Sequence, residues 1–235
     1  MSQILNELSV IIPCKDDHLR IGENIKEINN YLSKNIESYE VIIVSNGSEK
    51  QSTIYLEDIK SNFLNIKHLI LVEAGKGLAV RHGLKNAQYK NILFIDADSS
   101  VKITEFDKFI LNGKLISGFV VGNRKNKNSE NINSPILRRI SGFLYLKLIK
   151  VLFKLNYEDT QCGFKAIDKK IFKEPTSFIT DGFSFDLELF LLANKQNVKI
   201  SEVPVKYVHN SQSKVKIVRD TIKMLADLIT IYKLQ

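Results

Sequence analysis

Four short apolar runs punctuate the N-terminal part of the chain: Leu8 to Ile12 (LSVII), Glu40 to Val44 (EVIIV), His68 to Val72 (HLILV) and Ile92 to Ile95 (ILFI). Unbroken runs of this length are how strands buried on both faces read, and each is separated from the next by a longer stretch of helical period. Such alternation folds into a mostly parallel sheet flanked by helices and joined by right-handed crossovers. The chain therefore reads as an α/β protein, and its 235 residues, 44% of them hydrophobic, suffice for the core of a single domain. A further strand is expected over Leu115 to Gly122, followed by a polar loop from Asn123 to Ser134. Helices are expected over Ile136 to Leu155, Phe185 to Asn194 and Val215 to Leu234, and an edge strand over Lys199 to Val205.

The fourth run leads directly into two acids, Asp96 and Asp98. Ligands of open α/β sheets gather at the carboxyl ends of the strands, so both acids are expected at the rim of a crevice. Residues at i and i+2 of an extended chain point to the same side, which places two like charges close together. One answer to their repulsion is a hard divalent cation, Mg²⁺ or Mn²⁺, which takes carboxylate oxygens and leaves positions for phosphate. The other is a loop in which both acids are simply solvated.

The charge balance, 34 Lys and Arg against 26 Asp and Glu for a net +8, suggests an anionic partner: nucleic acid, membrane or phosphate. No helix-turn-helix or aromatic-basic strand signature accompanies the charge, so nucleic acid is not expected. Cys14 and Cys162 show neither metal-site nor disulfide spacing, which fits a reducing compartment. The sequence carries no signal-peptide pattern and no run of apolar residues long enough to span a bilayer, which predicts a soluble or peripheral protein. Ile136 to Leu155 is strongly amphipathic, with Leu137, Ile140, Leu144, Leu148 and Leu152 along one side and Arg138, Arg139, Lys147, Lys150 and Lys154 elsewhere. It is either packed on the core or seated at an interface.

Further polar groups recur where strands end. They include Pro13 with Asp16 and Asp17, Ser45-Asn46-Gly47-Ser48, and Gly75-Lys76-Gly77 ahead of Arg81, where glycines permit close backbone approach at a helix start and Lys76 and Arg81 can reach anionic oxygens. Later come Gly122-Asn123-Arg124, Arg138-Arg139-Ile140-Ser141, Asp159-Thr160-Gln161-Cys162-Gly163-Phe164-Lys165, Phe185-Asp186-Leu187-Glu188 and Ser213-Lys214-Val215. On the residues alone, Arg138 and Arg139 are either phosphate ligands or a solvated helix face. Asp159 either orients an acceptor, acts as a base, or caps a turn.

In order and spacing this set resembles the family 2 glycosyltransferases of GT-A fold, specifically the dolichyl-phosphate or polyprenyl-phosphate hexose synthases, over nearly the whole chain. GKGLAVRHG, DAD, DTQCGFK and the late SKV carry the likeness, which is greatest to the dolichyl-phosphate β-glucosyltransferase branch. The resemblance implies one Rossmann-like GT-A domain over residues 1–235, with a nucleotide-binding half to residue 100 and an acceptor-binding half from 101 to 235. It implies metal-dependent, inverting transfer of a hexose from a nucleotide-sugar, UDP-glucose favoured, to a polyprenyl phosphate; GDP-mannose as donor, a non-lipid acceptor, or a catalytically decayed nucleotide-sugar-binding protein are the alternatives. Asp98, Asp159 and Arg124 would be catalytic, and Asp96 and Asp98 would hold Mg²⁺ or Mn²⁺. Donor contacts would come from Pro13, Asp17, Ser45, Gly75, Lys76, Arg81, Asp96, Ala97 and Lys214, and acceptor contacts from Arg124, Arg138, Ser141 and Gln161. Ser45-Asn46 stands where the family has two acids, and Ser100 where the mannose-transferring branch adds a glutamine ligand. A lipid acceptor further implies work at the cytoplasmic face of a membrane, through the amphipathic helices or a separate anchoring subunit.

Overall fold

The computed structural model of the chain describes residues 5–132, 135–171, 178–209 and 217–234, the side chains of residues 137, 138, 217 and 218 excepted. All four apolar runs form strands: β1 (Leu5–Cys14), β2 (Ile36–Asn46), β3 (Ile66–Leu71) and β4 (Asn91–Phe94). Helices α1 (His18–Asn35), α2 (Lys50–Ser61) and α3 (Lys76–Asn86) connect them in turn. Leu8, Val10 and Ile11 of β1 are completely buried, and α1 turns Ile21, Ile25, Ile28 and Leu32 inward at helical spacing. Each such side chain contributes about 1.5–3 kcal/mol through the apolar area it removes from water.

The second part of the chain is less regular. A 3-10 turn over Ile103–Phe109 leads into a small hairpin of β5 (Ile110–Leu111) and β6 (Lys114–Leu115), followed by β7 (Phe119–Asn123) and β8 (Glu130–Ile132). Then come α4 (Ile136–Phe153), β9 (Lys165–Asp168), α5 (Phe185–Lys195), β10 (Ile200–Pro204), β11 (Lys206–Val208) and α6 (Ile217–Lys233). The strand expected over Leu115 to Gly122 is thus two strands, parted where the Ser117 hydroxyl turns back to donate to the Phe119 carbonyl at 2.7 Å. The expected polar loop contains β8, paired in parallel with β11.

Seven strands form the main sheet in the order β10-β7-β9-β4-β1-β2-β3. β9 runs antiparallel to both of its neighbours, β4 and β7, and the other pairings are parallel. The chain proceeds outward from β1 through β2 to β3 and then returns to place β4 on the other side of β1. That reversal splays the connections leaving the carboxyl ends of β1 and β4, which opens a crevice at this point of the sheet.

Helices α4 and α6 pack on each other, with the Phe153 and Tyr232 rings edge to face at 6.0 Å between centroids. Tyr145, Leu146 and Ile149 of α4 are buried, yet Ile136, Ile140, Phe143, Leu144, Leu148 and Val151 are exposed, as are Ile222, Ile229 and Tyr232 of α6. One side of the amphipathic segment therefore packs on the protein, the first of the two alternatives, and a second apolar side faces outward. Among the described residues no helix is long and apolar enough to cross a membrane.

Candidate functional site

A cleft of about 1010 Å³ opens at the switch point between β1 and β4. One wall comes from strand ends: Pro13 and Asp17 after β1, Asn46 of β2, Gly75 and Lys76 before α3, and Asp96, Ala97 and Asp98 after β4. The other comes from Arg124, Lys125, Asp159 and Gln161, and is continued by Ser141 and Tyr145 of α4 and by Lys223 and Asp227 of α6. Eleven of the residues expected at the site line this one cleft: Pro13, Asp17, Gly75, Lys76, Asp96, Ala97, Asp98, Arg124, Ser141, Asp159 and Gln161. The Arg138 side chain and Lys214 lie outside the described residues.

Asp96 and Asp98 reach the cleft by a turn and not by strand alternation. β4 ends at Phe94, and the Ser99 amide donates back to the Asp96 carbonyl at 3.1 Å with Ser99 in the left-handed region at φ 47°. Asp98 Oδ1 accepts the Ser100 amide at 3.0 Å. Asp96 Oδ1 lies 2.5 Å from Lys76 Nζ. Burial opposes ionisation of Asp96, but the adjoining ammonium outweighs it, so the carboxyl titrates below its ordinary range; Lys76 is shifted upward, the pull of Asp96 overcoming its own burial. Asp96 is backed by Gly163, where any Cβ would stand 1.9 Å from Asp96 Oδ2, so only glycine leaves room for the carboxylate.

Two carboxylates beside a cleft of phosphate-bearing size fit a hard divalent ion that takes its other ligands from a diphosphate. Among the described residues no group of three or more His, Cys, Asp and Glu gathers at metal distance. Asp96 and Asp98 would hold the ion.

Across the cleft, Arg124 and Asp159 form a closed unit. Arg124 donates through Nε to Asp159 Oδ2 at 2.7 Å and through Nη2 to Oδ1 at 2.8 Å, and its backbone amide adds a third bond at 3.0 Å. The Gln161 amide donates to Asp159 Oδ1 at 3.2 Å, and the guanidinium lies 5.3 Å from the Tyr207 ring centroid. Burial alone would raise the Asp159 carboxyl; Arg124 overrides it and holds the group at about 2. Of the three readings open for Asp159, the base is the one this geometry opposes: a carboxylate that accepts four hydrogen bonds and is held at about 2 is a weak base at neutral pH.

Two expectations are corrected by geometry. Ser45 does not face the cleft: it is completely buried, with Oγ 2.6 Å from His68 Nε2, while His68 Nδ1 lies 2.7 Å from Glu57 Oε1. The adjacent Asn46 takes the cleft position, donating to the Cys14 carbonyl at 2.9 Å and accepting the Gly75 amide at 3.0 Å. Arg81 is turned away as well, donating to the Phe178 carbonyl at 2.7 Å and pairing with Asp181. The close approach that Gly77 permits is to protein backbone: its amide donates to the Asp181 and Gly182 carbonyls at 2.9 and 3.1 Å, and a Cβ at Gly77 would lie 2.7 Å from the Thr180 carbonyl oxygen.

Several residues that shape the site have no role in the sequence reading. Lys165 and Asp186 form a buried ion pair at 2.8 Å beneath the cleft, Asp186 also lining it. Glu188 accepts the amides of Ile179 and Thr180 at 2.6 and 2.8 Å, which fixes the segment seated on the start of α3. Glu202 accepts the amides of Glu158 and Asp159 at 2.9 Å each and so places Asp159. The available signal is charge inside apolar runs: Lys165 in GFKAI, and Asp186 and Glu188 in FDLELF. Cys162, by contrast, is a buried thiol pushed up to about 11 by burial, a packed small residue.

Comparison with known proteins agrees with this architecture. The chain is 31% identical over 242 residues to a dolichyl-phosphate beta-glucosyltransferase of Dictyostelium discoideum, covering 95% of this chain and 73% of the relative. It is 30% identical to the Drosophila melanogaster enzyme of the same name, covering 96% of this chain and 74% of that one. Among solved structures, glucosyl-3-phosphoglycerate synthase from Mycobacterium tuberculosis, in complex with Mn²⁺, UDP-glucose and phosphoglyceric acid, superposes with a TM-score of 0.72 at 15% identity. The superposition covers 97% of this chain and 80% of that structure, a likeness of fold. With the sheet order, the strand-end cleft and a family profile that matches residues 9–175, the chain belongs to glycosyl transferase family 2.

Proposed function

We propose that the protein transfers glucose from UDP-glucose to a dolichyl or related polyprenyl phosphate, with inversion at the anomeric carbon, on a site holding Mg²⁺ or Mn²⁺ at Asp96 and Asp98. The names of the relatives support the sugar and the acceptor, and the Mn²⁺ and UDP-glucose of the superposed structure support the metal and the donor. The observation that carries the reading is the engagement of Asp159 by Arg124. With its carboxylate used up, this wall suits an acceptor that arrives already ionised. A phosphate monoester is such a nucleophile.

In this reading an acceptor phosphate oxygen forms the new bond to the anomeric carbon as the bond to the diphosphate oxygen breaks, and its electron pair leaves on UDP. No proton need move. Asp96 and Asp98 would hold the cation, which when bound would supply Lewis-acid stabilisation of the leaving diphosphate. Lys76 adds a second positive charge on the donor wall. Arg124, pre-set by Asp159 and Tyr207, presents a planar donor to the acceptor phosphate, with Lys125 beside it. Ser141, Gln161 and the Arg138 position extend the acceptor side. Asn46 replaces the acid that a ribose contact ordinarily uses, and its amide is committed to shaping the turn at Gly75.

The lipid tail calls for a membrane, and we place the outward apolar face of α4 and α6 against the cytoplasmic leaflet. Exposed Ile140, Phe143, Leu144 and Ile229 would enter the interface, with Arg139, Lys147 and Lys154 at the headgroups. A donor screen with a short-chain polyprenyl phosphate, followed by mass, tests the whole reading. UDP-glucose should give a product heavier by one hexose, only with divalent metal, and the unphosphorylated polyprenol should give none. Equal transfer to phosphate and alcohol would defeat the acceptor assignment.

A further inference from the structure

The Lys76 ammonium already holds one of the two carboxylates proposed for the divalent ion. Lys76 Nζ lies 2.5 Å from Asp96 Oδ1, and Asp96 is one of the two acids that fit the metal. A metal on Oδ1 would crowd the ammonium in a partly closed cleft, and the other oxygen, Oδ2, lies against Gly163. We propose that Lys76 is an internal stand-in for the metal, neutralising Asp96 until a diphosphate arrives, so that metal and nucleotide enter the site as a coupled pair. This rests on the assignment of Asp96 and Asp98 as metal ligands.

The surroundings decide which partner moves. The Asp96 carboxylate fills the space that a Cβ at Gly163 would take, which leaves it little room to withdraw on that side. Lys76 stands on a flexible four-carbon stem near the Phe183 and Phe185 rings, with Nζ 6.0 and 5.8 Å from their centroids. Its side chain is 18% exposed against 39% for Asp96. A metal arriving alone breaks the ion pair and leaves Lys76 half-sheltered beside a dication. A metal arriving with a diphosphate meets a different balance, because phosphate oxygens then accept both the ion and the released ammonium. Linkage makes the effect reciprocal: whatever factor the nucleotide adds to metal affinity, the metal adds to nucleotide affinity. Arg124 has no such freedom, since Asp159 grips it through both nitrogen and backbone.

Mn²⁺ binding, read from the signal of free ion by electron paramagnetic resonance, tests this without turnover. Wild type, Lys76→Met and Lys125→Met are titrated with and without saturating UDP, Lys125 being a cleft cation on the opposite wall. Lys76→Met should bind Mn²⁺ about 10-fold more tightly than wild type without UDP, and no more tightly with it, within the range typical of site coupling. Lys76→Gln should repeat this, and Lys125→Met should not. If wild type binds Mn²⁺ with UDP but Lys76→Met gains nothing without it, the stand-in role is wrong and the metal assignment survives. A gain of the same size in Lys125→Met would reduce the effect to general repulsion and overturn the proposal. Wild type that binds no Mn²⁺ even with UDP would remove the metal assignment and the stand-in together.

Discussion

The two walls of the cleft hold the same kinds of charge in opposite ways. On the strand-end wall, Lys76 and Asp96 meet through one oxygen, 18% and 39% exposed. On the facing wall, Arg124 and Asp159 meet through a two-point fork and a backbone amide, with Asp159 only 1% exposed. A single contact to a half-open carboxylate can be exchanged for another ligand that brings its own compensation, whereas a forked contact to a buried one is far harder to replace. On the proposed function, the strand-end wall suits the exchange of partners that a metal and a departing diphosphate would require, and the facing wall suits holding one cation still.

The largest expected effect is on the donor wall. Asp98→Asn keeps the Oδ1 that accepts the Ser100 amide, so the turn should survive, but a charged metal ligand is lost. Transfer should fall about 10,000-fold, roughly 5 kcal/mol in the barrier, with an unchanged melting temperature. Residual full activity in chelator would remove the metal from the comparison. On the acceptor wall the effect should move from catalysis to folding. Asp159→Asn turns an amide NH₂ toward Arg124 and leaves a buried guanidinium uncompensated, which should cost about 3 kcal/mol in urea unfolding. Asp96→Asn, whose pair is more exposed, should cost less than about 1 kcal/mol. Equal losses at Asp96 and Asp159 would break the contrast between the walls.

Acid should reveal the same asymmetry. Asp159 titrates at about 2 when folded against 3.8 in an unperturbed chain, so its contribution is complete above about pH 4 and is lost as pH falls through 2. The stability gap between wild type and Asp159→Asn should therefore shrink by about 2 kcal/mol between pH 4 and pH 2, measured by urea melts. A gap that already closes between pH 7 and pH 5 would mean that Asp159 is not held down by Arg124.

The donor wall was also the more legible one. Its residues sit directly after apolar runs that could only be buried parallel strands, so LFI followed by DAD fixes both a strand end and the acids at its rim. Legibility failed there by one residue: Ser45 and Asn46 are neighbours on a strand and face opposite ways, and sequence does not say which faces the ligand. Arg81 was lost for a different reason, because its partners, Phe178 and Asp181, are about a hundred positions away. The acceptor wall depends on such distant pairings throughout. Arg124 and Asp159 were both singled out, but the fork that joins them across 35 positions is visible only in the structure. Strand β9 escaped notice because it is four residues long and begins with the buried Lys165, a residue type that argues against a central strand until its partner Asp186 is seen.

The smallest expected effect concerns what lies beyond the acceptor wall, where α4 passes from Ser141 and Tyr145 in the cleft to Phe143, Leu144 and Leu148 outside it. If this face rests on a lipid surface, the acceptor phosphate enters the cleft from the side on which its tail is anchored. Binding should then depend on both apolar and charged residues of one helix. Lys147 and Lys154 are exposed there, and each cation near an anionic leaflet contributes on the order of 1 kcal/mol. Sedimentation with vesicles rich in phosphatidylserine should show the wild type bound at low salt and released as salt rises, with little binding to neutral vesicles. Lys147→Glu together with Lys154→Glu should weaken binding about 30-fold, and Phe143→Ser should weaken it without changing the salt dependence. Phe143, Lys147 and Lys154 do not line the cleft, so UDP affinity should be the same in all the variants. Binding that ignores lipid charge, salt and these substitutions would assign membrane contact to a separate anchoring subunit and leave the exposed helices as the surface that receives it.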